Sequence, residues 1–151
     1  MVYIVMIIVL TNFHGVMFIV LTSGFHGVMV VVLTSFLGEM AIFLTSFHDV
    51  MVIVLTRSHR VMDIVFTSFH GVMVIVLTSF HGVMVIVFTR FLVVFVIVLT
   101  SFHGEMVIFL TSFHNLMIIV LTRSHRLIAI VFTRFHCVMV IVLTDSMVLL
   151  V

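Results

Sequence analysis

The sequence predicts an all-β repeat protein, because an eleven-residue unit recurs along nearly the whole chain, its residue types favour pleated strands, and its apolar runs have strand length. The unit reads LTSFHGVMVIV at 77–87 and FTSFHGVMVIV at 66–76. Threonine marks its phase: Thr11, Thr22, Thr34, Thr45, Thr56, Thr67, Thr78, Thr89, Thr100, Thr111, Thr122, Thr133 and Thr144 follow at steps of eleven, broken once where Gly24 is inserted. About thirteen units therefore form a single tandem array over 1–151, and no linker or composition shift marks a domain boundary.

Val, Ile, Thr, Phe and Tyr supply 79 of the 151 residues, the types that suit a strand. Within each unit VMVIVLT is a strand-length run, and SFHG, with its His-Gly pair, is the expected turn. Because VMVIV is apolar at odd and even positions alike, both strand faces are expected to be buried. Two arrangements satisfy this pattern. Units alternate as an antiparallel meander, or they pair into 22-residue coils that stack as a β-solenoid.

The alternative is an α-helical multi-pass membrane bundle. Eleven residues in three turns give ~3.67 per turn and keep equivalent residues near one face. Any window of ~20 residues, the length a span requires, includes a TSFHG-type tract, so insertion is marginal. Helices on this reading break at Arg57 and Arg60, at Arg90, and at Arg123 and Arg126, giving up to about five segments with both RSHR loops on the cytoplasmic side. A third possibility is no unique fold, since near-identical units slip by one repeat at little cost.

Composition restricts the solvent. Hydrophobic residues make up 65% and charged residues 7%, with mean hydropathy +1.60. Six Arg and five acidic residues on a surface of roughly 7,800 Å² leave large apolar patches. The expected partners are a lipid bilayer or other copies of the chain, and the expected localisation is the membrane. A net charge of +1 without a basic run argues against nucleic acid. MVYIVMIIVL lacks the basic start and cleavage site of a signal peptide, so no cleaved leader is expected.

No residue pattern specifies an enzyme, a cofactor or a small-molecule substrate. Ten histidines, His14, His26, His48, His59, His70, His81, His103, His114, His125 and His136, share one repeat position, while Leu37 and Leu92 replace it in two units. In a solenoid they form a ladder at ~4.8 Å per layer, near enough for neighbours to share a metal. In a helix they lie ~16.5 Å apart. No CxxC or HExxH spacing accompanies them, so the favoured reading is a repeated turn residue, with a metal-binding ladder as an alternative. His136-Cys137 is a single ligand pair, and the methionines at the centre of each unit are expected to be packing material. The serines and histidines of TSFH have no orienting carboxylate at a fixed spacing. Catalytic, cofactor and metal residues are accordingly expected to be none.

A longer period overlies the short one. Residues 33–76 align without gaps to 99–142, an offset of 66 residues, and 34 of 44 positions are identical. The differences include Leu37/His103, Asp49/Asn115, Asp63/Ala129, Ser68/Arg134 and Gly71/Cys137, and each of the ten needs only one nucleotide change. Duplication of a DNA segment followed by weakly filtered drift explains these exchanges. On that origin, synonymous and amino-acid-changing differences between the two coding segments occur at the ratio expected by chance; sequencing the gene checks this, and a marked excess of synonymous change would refute it.

Overall fold

The computed structural model describes residues 3–22, 24–123, 128–144 and 148–150. Strands account for nearly all of them and none is helical. The strands are β1 (Tyr3–Leu10), β2 (Phe13–Leu21), β3 (Phe25–Leu33), β4 (Phe36–Leu55), β5 (Ser58–Leu77) and β6 (Phe80–Phe88). They continue with β7 (Phe91–Leu99), β8 (Phe102–Leu110), β9 (Phe113–Leu121), β10 (Ile128–Phe132), β11 (Phe135–Leu143) and β12 (Val148–Leu150).

Every pairing is parallel and joins a strand to the one a full coil away, as in Phe47↔Phe69 and Phe69↔Phe91. The chain is a parallel β-solenoid of about six turns with two eleven-residue units per coil. One sheet contains β1, β3, the second halves of β4 and β5, then β7, β9 and β11. The other contains β2, the first halves of β4 and β5, then β6, β8, β10 and β12. The meander is thereby excluded: its strands would run antiparallel between sequence neighbours, whereas here neighbouring units face each other across the core.

Like residues stack on like residues. Four positions of the unit point inward and fill the space between the sheets: Phe69, Met73, Ile75 and Leu77 on one side, Phe80, Met84, Ile86 and Phe88 on the other, all at most 1% exposed. The Phe rings form columns, with Phe47, Phe69, Phe91 and Phe113 stacked at 5.1–5.3 Å between successive centroids. The methionines are packing residues, as their place in the unit suggested. The intervening Val positions face outward and are half-buried or exposed, so only one face of each strand enters the core, contrary to the expectation of two buried faces. Outward apolar residues persist because they suit a pleated surface.

The expected turn is also displaced. SFHG does not turn: Phe and His lie within the strand, and the corner falls at Thr-Ser. Threonine closes that corner by two bonds to the preceding coil. In Thr78 the backbone N–H donates to Leu55 O at 3.0 Å, and Oγ1 donates to Thr56 O at 2.6 Å. The same Oγ1 bonds recur at Thr100 and Thr122, both at 2.7 Å. Two threonine ladders thus run along the solenoid, which gives the Thr that recurs in each unit a structural role. The first RSHR loop expected of a helical bundle is likewise absent, since Ser58, His59 and Arg60 begin β5. In the second, Ser124, His125 and Arg126 lie outside the described residues.

The glycine after each His sits inside the strand, where the backbone is sharply kinked. Gly82 has φ +149°, and a Cβ there would fall 1.8 Å from Arg60 O in the coil before. Asp49, Arg60 and Asn115 occupy this column at φ 105°, 110° and 111°, a region costly for any side chain. Asp49 is accommodated between Gly27 and Gly71, and Arg60 between Gly38 and Gly82. Asp49→Gly is therefore expected to raise unfolding stability by ~1–3 kcal/mol, while Gly82→Ala lowers it; denaturant unfolding followed by circular dichroism measures both.

Candidate association surfaces

Apart from His125, which lies outside the described residues, the predicted histidines lie at the outer edge of each sheet, at the position following the Phe column. Eight of them form three runs. His26, His48 and His70 stack with centroids 4.5 and 4.8 Å apart and interplanar angles of 12° and 19°. On the other sheet His59, His81 and His103 follow at 4.9 and 4.8 Å, and His114 stacks on His136 at 5.4 Å. Leu92 breaks the column between His70 and His114, and Leu37 lies between His14 and His59. The histidine is thus a strand residue, not a turn residue; the kinked glycine keeps it paired where a turn would have ended the ladder.

Parallel rings at this spacing keep equivalent nitrogens about one coil apart. A tetrahedral zinc with ~2.0–2.1 Å bonds needs its nitrogens about 3.4 Å apart. Among the described residues no group of three or more His, Cys, Asp or Glu converges on one point. The Cys137 side chain of the His136-Cys137 pair lies outside the described residues.

An open groove of about 460 Å³ is lined by His14, Gly15, Val16, Leu37, Gly38, Glu39 and Arg60. It holds one acidic residue, Glu39, and two basic ones, His14 and Arg60. Serines occupy the corners, such as Ser46, while inward Phe47 separates that corner from His48.

The largest feature is apolar. On the sheet that begins with β1 and ends with β11, the three outward columns contain only Val, Ile and Leu. They run from Val5, Ile7 and Val9 through Val72, Val74 and Val76 to Val138, Val140 and Val142. This seven-strand face has no charge in those columns. The opposite face carries Glu39, Asp63 and Glu105 in the equivalent columns. This uninterrupted apolar face spans about 29 Å from the first strand of the stack to the last, at ~4.8 Å per step, and contiguous apolar surface of this kind marks an interaction site.

The ends of the core form a second surface. Inward residues of interior coils are sealed, whereas Met6, Ile8 and Leu10 of β1, and Met139 and Ile141 of β11, are only partly covered. Beyond β1 and β11 no further strand is paired among the described residues. These surfaces were missed by motif reading because they depend on which residues a coil brings side by side.

No protein family, curated protein or solved structure matches the chain. Its functional reading rests on geometry alone.

The His26–His48–His70 run implies a pH dependence. His48 titrates below its ordinary value of 6.5, chiefly because burial disfavours the charged ring, and also because His26 and His70 repel it; Asp49 opposes the shift. The folded chain then binds fewer protons than the unfolded chain wherever His48 is titrating. Its contribution is complete above about pH 6.5 and declines as pH falls through that value toward the lowered folded one. Unfolding midpoints compared at pH 7.5 and 5 should fall less for His48→Gln than for the parent chain; equal falls would remove His48 as a source.

Proposed function

We propose that this chain is a non-enzymatic tandem-repeat polypeptide whose activity is association, foremost with other copies of itself. The observation that carries this reading is the outward face of the β1–β11 sheet, where Val, Ile and Leu fill three adjacent outward columns without a charge. Face-to-face contact removes that apolar surface from water in two partners at once, at roughly 25 cal/mol per Å² of area buried. Derivation from an amplified DNA repeat accounts for the uniformity, since every copied unit adds the same strip to the same face.

The same face favours a second reading, docking on a lipid bilayer. No helix among the described residues is long and apolar enough to cross a membrane, so this reading takes the form of a sheet face lying against lipid. Localisation at a membrane is part of this second reading and stands or falls with it.

Sedimentation velocity without lipid or detergent separates the two. The parent is expected to sediment as large species, and Val52→Lys/Val96→Lys, which places two charges in the middle of the face, is expected to shift it toward smaller ones. A parent that stays monomeric in buffer yet floats with neutral phosphatidylcholine vesicles would replace self-association with lipid docking.

A further inference from the structure

We propose that copies of this chain join end to end, with β1 of one copy pairing in register on β11 of the next, to continue the solenoid as a filament. The inference deepens the self-association reading and rests on it, by naming the contact and its occupant.

Register is already set inside the molecule. Tyr3 of β1 pairs with His26, and Met6 with Met29, so Tyr3 holds the His position of its unit and Met6 the Met position. On β11, His136 and Met139 hold the same positions, paired with His114 and Met117. An incoming copy in this register sets Met6 on Met139, Ile8 on Ile141 and Leu10 on Leu143. These are the like-on-like columns that join every interior coil. Of these six side chains, Met6, Ile8, Leu10, Met139 and Ile141 are partly covered and Leu143 is 42% exposed, whereas their interior equivalents are sealed. The outward residues tell the same story: Val5 and Val138 are 61% and 64% exposed, against 38% for Val72 in the same column.

The second sheet supports the same contact. β12 pairs Val148 with Ile128, which places it in the Met column of its sheet, and its outer edge lies ahead of β2 of an incoming copy. Strands therefore alternate correctly across the junction, β11 and β12 of one copy followed by β1 and β2 of the next. Neither β1 nor β11 contains Arg, Asp or Glu, and neither contains Pro. The charges and prolines by which natural sheets blunt their edges are missing from both. The contact is head-to-tail, so it leaves a fresh β1 at one end and a fresh β11 at the other, and growth does not close. Each added copy extends the seven-rung sheet by about 34 Å at ~4.8 Å per rung.

The test uses charge exchange at the two exposed edges. One variant carries Val5→Lys, Ile7→Lys, Val138→Lys and Val140→Lys; a second carries Glu at the same four positions. All four side chains point to solvent, so each variant keeps its β-type circular dichroism. In the proposed register Val5 faces Val138, and Ile7 faces Val140, so like charges oppose across the junction in either variant alone. Electron microscopy and fibre diffraction are expected to show parent filaments with a ~4.8 Å reflection along the axis. Mean length should fall at least tenfold in each variant and recover when the two are mixed in equal amounts. Val52→Lys/Val96→Lys, charged at mid-face, should retain filament length while losing side-by-side bundling.

If either four-fold variant forms filaments as long as the parent's, or the mixture stays short while both variants are folded, the end-to-end contact is wrong although self-association stands. A parent that is monomeric in buffer overturns both.

Discussion

Every feature of this molecule depends on one constraint: each strand pairs in parallel with the strand one coil, about 22 residues, away, so most side chains rest on their own counterparts in the next coil. In-register stacking turns a linear repeat into columns. The Phe, Met, Ile and Leu columns fill the core, and the Thr column ties the corners together. Each coil leaves its outward valines beside equivalent valines. A slip of one residue would send every inward side chain to the solvent face, so the alternation of the unit opposes it.

The same constraint separates what duplication tolerates from what it does not. Between 33–76 and 99–142, Leu37/His103, Asp49/Asn115, Asp63/Ala129 and Ser68/Arg134 change charge or polarity, and all lie outside the inward columns. The one difference within a core column, Met62/Ile128, exchanges one apolar side chain for another, and both are fully buried. Drift that looked indifferent to chemistry in the sequence is thus confined to the outside. Ser58 is an instructive exception: it replaces Phe at an inward position and is the one polar side chain buried there among the described residues.

The repeat also explains why the surfaces are generic. Copying one unit repeats the same side chains from coil to coil, and Glu39, Asp49 and Asp63 fall at separate positions of β4 and β5. Copying instead multiplies one property. The property multiplied here is apolar surface, along one face and at both ends, bordered by a histidine run in which burial, and then the neighbouring His26 and His70, make His48 harder to protonate. Acid therefore weakens the coil, by placing like charges at the spacing of the rungs.

The eleven-residue period, the strand preference of Val, Ile and Phe, and the packing role of Met were legible in the sequence, because they follow from counting and from residue shape. The choice of coils over a meander was not, since both bury the same units and differ only in how the chain returns. Nor was the corner at Thr-Ser: His-Gly resembles a turn locally, and only the pairing of Gly82 against Arg60 and its neighbours reveals a kink inside a continuous strand. The sequence by itself determined the unit, its phase and its apolar character. The tertiary structure alone decided which half of each apolar run is core and which is surface. That division depends on which neighbouring strand covers each face, and a run apolar at every position does not encode it.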